Sequence, residues 1–228
     1  LQEIEQGDRM RRRKFLPERM TLGQGDGVFR KFIVLAILIL VAGIAFCFLP
    51  RKTAANAFHP STVAALEVKA WRLSKQSPNI NLTLVFYSLL YEEYGMSPYA
   101  TAKATWYFCK AQSVFFSGAD LADQEKAMEP LGDFFSVISK ETGREFDFQV
   151  AARLELFTWI LPRDVGRRSE LTTAIAEKLA LIYAKPSHDF SDAAKCFSKA
   201  RQLANQKKWA EAENENLAGW KKLKNIEF

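Results

Sequence analysis

The chain has 228 residues, a mean hydropathy of −0.15 and a formal net charge of +6. That length holds one domain with a full core, or one domain plus an anchor, and that hydropathy excludes a polytopic membrane protein. Eight basic and five acidic residues precede position 32, so half of the net charge sits there; the rest of the chain mixes both signs, which speaks against a nucleic-acid-binding surface.

Residues 1–31 form a basic tail, expected to be cytoplasmic. Arg11, Arg12, Arg13 and Lys14 run together, and Arg30 and Lys31 abut an apolar stretch. Each such residue near an anionic leaflet contributes about 1 kcal/mol, which makes these six candidates for lipid headgroup contact. A tail that only orients insertion is the alternative.

The apolar stretch 32–49, FIVLAILILVAGIAFCFL, has eighteen residues and no charge. At a rise of about 1.5 Å per residue it spans roughly 27 Å, near the thickness of a bilayer's hydrocarbon core, and a transmembrane helix is expected. Ala55-Asn56-Ala57 offers a small-x-small site, so a cleaved signal peptide is the rival reading. The arginine-rich N-terminal flank predicts a single-pass inner (cytoplasmic) membrane protein, N-terminus cytoplasmic and C-terminal domain periplasmic in a bacterial cell. Ala42, Gly43 and Ala45 provide a small-residue patch where a second helix could dock. No ionisable side chain lines the stretch, which argues against transport.

A linker, residues 50–60, leads to a helical domain over 61–228. Ser61 is placed to cap a helix running to about Ser77 through Val63, Leu66, Ala70 and Leu73. Leu82, Phe86, Leu89 and Leu90 give a second amphipathic face that stops near Gly95. Pro98 opens a third helix, which carries Trp106, Tyr107, Phe108, Phe115 and Phe116 before Gly118. Asp120 caps a fourth, where Pro130 and Gly132 predict a kink or a break into two pieces. Asp147 opens a fifth through Val150, Leu154, Phe157 and Ile160, and Pro162 closes it. Ser169 opens a sixth with Leu171, Ile175, Leu179 and Ile182, and two more cover about 190–205 and 207–224. The fold class is therefore all-α: one N-terminal transmembrane helix, then a bundle of seven to eight helices. The last two resemble one loose tetratricopeptide-type hairpin and are expected to close the bundle.

The chain offers little chemistry. His59 and His188 have no second ligand at metal spacing, the glycines at 23, 25 and 27 lack the rest of a phosphate loop, and no serine nucleophile motif occurs. Cys109 and Cys196 show no zinc spacing, and a disulfide between them stays open. The pair Glu92-Glu93 reads as a charged helix end. Glu155, set among apolar residues, is expected in a buried ion pair with Arg153 or Arg72. No catalytic residue, cofactor or metal is expected. A deep pocket converging on Glu155, His188 or the Arg167–Arg168 pair would instead point to an enzyme. Trp106, Tyr107, Phe115 and Phe116 are the candidate partner surface, because neighbouring aromatics on one helix cannot all share a narrow core face.

The segments ALEVKAWRL, SPYATAKATWYFCKAQSVFF and FDFQVAARLELFTWI resemble an uncharacterised family of bacterial all-helical proteins. The resemblance implies a helical domain, here with an added anchor, and brings no activity, cofactor or catalytic residues. The reading is a non-catalytic single-span accessory subunit of a larger membrane complex, with photosynthetic and respiratory electron transfer as plausible hosts. Its partners are membrane lipids and protein subunits, with no nucleic acid and no small-molecule substrate. The alternative is a membrane-tethered adaptor or assembly factor that binds a peptide or subunit transiently.

Overall fold

A computed structural model describes residues 58–75, 80–118, 120–163 and 165–226. The basic tail with its headgroup candidates, the apolar stretch 32–49, and Ala42, Gly43 and Ala45 lie outside the described residues. Among the described residues no helix is long and apolar enough to cross a membrane.

The described chain is all-α. Its helices are α1 (Pro60–Ser74), α2 (Ile80–Tyr94), α3 (Pro98–Ser117), α4 (Leu121–Glu125), α5 (Met128–Thr142), α6 (Phe148–Ile160), α7 (Arg168–Tyr183), α8 (Ser191–Asn205) and α9 (Trp209–Lys224). Eight of these are long, and α4 is a single turn.

Local chemistry sets most boundaries. The Ser97 side chain accepts from the Ala100 amide with Pro98 in the first turn, and Asp147 accepts from the amides of Gln149 and Val150. Asp120 caps α4, and the expected break falls at Lys126–Ala127, which leaves Pro130 in the first turn of α5, where a missing N–H is harmless. The first helix starts differently from expectation: Pro60 occupies its first turn, His59 stands at the N-cap, and Ser61 lies inside the helix. Ser169 likewise falls inside α7, whose N-cap is Arg167.

The long helices pack in sequence order: α1 on α2, α2 on α3, α3 on α5, α5 on α6, α6 on α7, α7 on α8, and α8 on α9. The last then returns to α1, so the helices close into a ring. Cross-links between helix ends show that the direction alternates around it. Lys75, after α1, donates to the carbonyl of Ala204 at the end of α8 at 2.8 Å, and Asn205 donates to the carbonyl of Pro162, beyond the end of α6, at 2.8 Å. At the opposite pole Ser97, ahead of α3, donates to Glu141 near the end of α5 at 2.9 Å.

Aromatic and hydrogen-bond contacts both hold the closure. Phe58 meets Trp220 edge-on with ring centroids 5.4 Å apart, and Asn216 donates to the Ala64 carbonyl at 3.3 Å. The closing hairpin α8–α9 is close-packed through Gly219, where an added Cβ would lie 2.6 Å from the Phe197 ring. Most of the buried apolar side chains form one continuous cluster around the ring, each fully buried Leu, Ile, Val or Phe contributing about 1.5–3 kcal/mol.

Candidate functional site

The inner faces of the ring leave a cavity of about 310 Å³, and each of the eight long helices contributes to its wall. Its ends differ. Lys75 and Phe116, where α1 and α3 finish, are exposed, whereas Glu93 and Tyr94, where α2 finishes at the other pole, are half-buried. Glu93 lines the cavity at that pole. The mouth is therefore the Lys75 end and the floor the Glu93 end.

An aromatic belt crosses the N-terminal half of the wall. Phe108 of α3 lies 4.8 Å from Phe86 of α2, 4.9 Å from Phe134 of α5 and 5.5 Å from Trp159 of α6, ring to ring. Two of these pairs are edge-on, the arrangement that aromatic quadrupoles favour, and the third is tilted.

The rest of the wall carries charge on α1 and on α6 to α8, and the acids Glu155 and Glu67 there have partners. Lys178 of α7 donates to Glu155 of α6 at 2.6 Å, and the indole of Trp159 donates to the same carboxylate at 2.8 Å. Burial alone would push the Glu155 carboxyl up, but the charges of Lys178 and Arg201 and these two hydrogen bonds outweigh it and hold the group at about 2. Glu67 of α1 accepts from the Trp220 indole at 2.9 Å and from Asn216 at 3.0 Å, with Arg201 of α8 at 3.7 Å. Arg201 also donates to the Thr158 hydroxyl at 2.8 Å and lies over the Trp71 ring at 5.4 Å, a cation–π contact.

Glu93 is the exception. Among the described residues no lysine or arginine lies within ion-pair distance of it. Burial, followed by repulsion from Glu67, pushes its carboxyl up to about 8, so at neutral pH it holds its proton. Tyr94 beside it, its hydrogen-bonding partner, is raised by burial and by the charge of Glu93.

The residues singled out in the sequence fall in several places. Trp106 is 69% exposed on the outer side of α3, and Tyr99 is exposed one heptad earlier. Tyr107 is half-buried beside Lys103, and Phe116 stands exposed at the cavity mouth. Phe115 does not belong with them: it is 1% exposed and packs against Trp159 at 5.3 Å, because α3 turns that face towards α6. Glu155 does sit in a buried ion pair, but its partner is Lys178; Arg153 and Arg72 point outward. His59 and His188 are exposed, the latter 3.1 Å from Asp189. Of the residues whose convergence would point to an enzyme, only Glu155 reaches the cavity. Cys109 and Cys196 are free thiols, each raised by burial. Among the described residues no group of His, Cys, Asp and Glu side chains is arranged to hold a metal ion.

The sequence reading missed Glu93, Lys178 and Arg201 as wall residues. The signal was present for two of them. Glu93 follows Phe86 by seven and Leu89 by four, so it extends the apolar stripe of α2. Lys178 follows Leu171 by seven and Ile175 by three, so it extends the apolar stripe of α7 in the same way.

Compared with family models, curated proteins and solved structures, the chain matches none. No family is thereby identified for the segments quoted above, and an all-helical protein is what stands.

Proposed function

We propose that the chain is a membrane-tethered binding module whose helical ring receives a ligand at its centre. One observation carries this reading: a cavity walled by all eight long helices. Protein interiors normally close-pack. A domain that leaves about 310 Å³ open and keeps two carboxylates and their cations in that wall forgoes packing that a plain scaffold would use. The volume lies at the lower end of the range usual for ligand sites. The fixed ionisation of Glu155 favours binding over catalysis, since a carboxylate clamped by Lys178 and Trp159 is a poor proton exchanger. The tether is the stretch 32–49, with the tail cytoplasmic and the ring periplasmic. This reading adds a ligand to the tethered adaptor.

Native mass spectrometry of the full chain, extracted from its own membranes in mild detergent, tests it. A bound mass that survives extraction and is released on unfolding is expected. A bare chain under every extraction condition would contradict it.

A second observation supports the accessory-subunit reading. Ile80 and Leu84 on α2 and Tyr99 and Trp106 on α3 are exposed on two adjacent helices, and large exposed aromatics are the usual anchors of an interface. In that case the chain co-migrates with a larger complex, with electron-transfer assemblies the hosts to examine first, and Trp106→Asp releases it. Migration of the wild-type chain alone in gentle detergent would remove this reading.

A further inference from the structure

The cavity holds three carboxylates, Glu67, Glu93 and Glu155, but its cations are distributed unevenly among them. Lys178 is engaged by Glu155 at 2.6 Å, and Arg201 stands 3.7 Å from Glu67. Lys75 is tied to Ala204 and Asn205 at the mouth, and α2 carries Glu93 about 20 Å from that pole at 1.5 Å per residue. The floor thus has an acid without a counter-charge, below a belt of aromatic rings whose faces attract cations.

We infer that the ligand of this cavity is an organic cation with an apolar or aromatic body, its ammonium group seated at Glu93. The inference rests on the binding reading above and names the chemistry of its ligand. In the empty ring Glu93 keeps its proton. When a cation arrives, the carboxyl O–H bond breaks, the proton leaves to solvent and the carboxylate pairs with the ammonium, so one charge is exchanged for another. The other groups facing Glu93 leave it that role. Tyr94 beside it is a neutral hydrogen-bonding partner. Glu67 of α1 and Glu155 of α6 are acids and repel a second anion; Lys178 of α7 is committed to Glu155. Tyr183 of α7 is a neutral phenol engaged by Arg144.

The test is isothermal titration of the full chain in detergent with three probes of similar size: 2-phenylethylammonium, 2-phenylethanol and 3-phenylpropionate. The cation should bind tightest and the anion weakest. Repeating the cation titration in buffers of different ionisation enthalpy should show about one proton released per cation, and affinity should rise about tenfold per pH unit between about pH 6 and 7. In Glu93→Gln the proton release and the pH slope should vanish, and the alcohol and the cation should bind alike. Alcohol binding as tight as the cation in the wild-type chain, without proton release, would overturn the inference while leaving the binding module intact. No binding of any of the three would overturn both. Should Glu93→Gln fail to fold, proton release and pH slope in the wild-type chain decide the matter by themselves.

Discussion

Glu155 and Glu93 face the same cavity, and the two sides of the ring treat them in opposite ways. On the α6–α8 side a lysine and an indole converge on the carboxylate and hold it at about 2; at the α2 floor burial and a neighbouring acid push the other up to about 8. Burial is common to both. The partner decides, which is why the same residue type serves as a structural anion in one wall and as a neutral, chargeable group in the other.

Cutting the matched side should have the largest effect. Lys178→Met leaves Glu155 buried without its cation and should reduce stability by about 3–5 kcal/mol at neutral pH, read from urea unfolding of the full chain. The sign of the acid dependence follows from the lowered value. Stability from ionised Glu155 is fully present above its ordinary value of 4.5 and is lost as pH falls through about 2. In the variant, protonation of Glu155 on mild acidification should recover part of the loss. A deficit below 1 kcal/mol would mean that the pair contributes little to the wall.

Gly219→Ala perturbs the closing hairpin by sterics alone. Its new methyl would meet the Phe197 ring at 2.6 Å, and a loss of about 1–3 kcal/mol is expected, independent of pH. A pH-dependent loss would show that the charged wall depends on hairpin geometry.

Glu93→Gln should move the other way. With its value raised from 4.5 to about 8, the folded state holds a proton that the unfolded chain has shed, so wild-type stability falls as pH rises across that window. The variant lacks this penalty. It should match wild type near pH 4 and exceed it by about 1 kcal/mol or more at pH 8. Equal stability at both pH values would remove the contrast between floor and wall. Trp106→Ala, on the outer surface, should change stability by less than about 0.5 kcal/mol and leave both carboxylates as they are.

The helices were legible because their signals are local. Pro98, Asp120 and Asp147 mark helix starts by chemistry that acts within one turn, and the 3.6-residue stripes survive whatever they pack against. Ser61 and Ser169 misled because His59 and Arg167 hold the N-cap positions of their helices, which leaves both serines inside the first turn. The ring itself was not legible. Its closure depends on α9 reaching α1 across more than 140 residues, and no local spacing encodes that. The partner of Glu155 was misjudged for the same reason: Lys178 is distant in sequence, and only the packing of α7 on α6 brings it near. Phe115 was placed outside because consecutive aromatics force some outward, yet which ones go is set by where α5 and α6 lie.

That the ring is built around an open, receiving centre is tested most directly by filling it. The Ser74 hydroxyl bonds only to the Trp71 carbonyl one turn back and lines the mouth of the cavity, so Ser74→Phe adds a ring there at little structural cost. Titration of wild type and variant with 2-phenylethylammonium should show saturable binding in the first and at least about a tenfold loss in the second, with the same urea midpoint for both. Equal binding by the two chains would contradict a site at the centre of the ring.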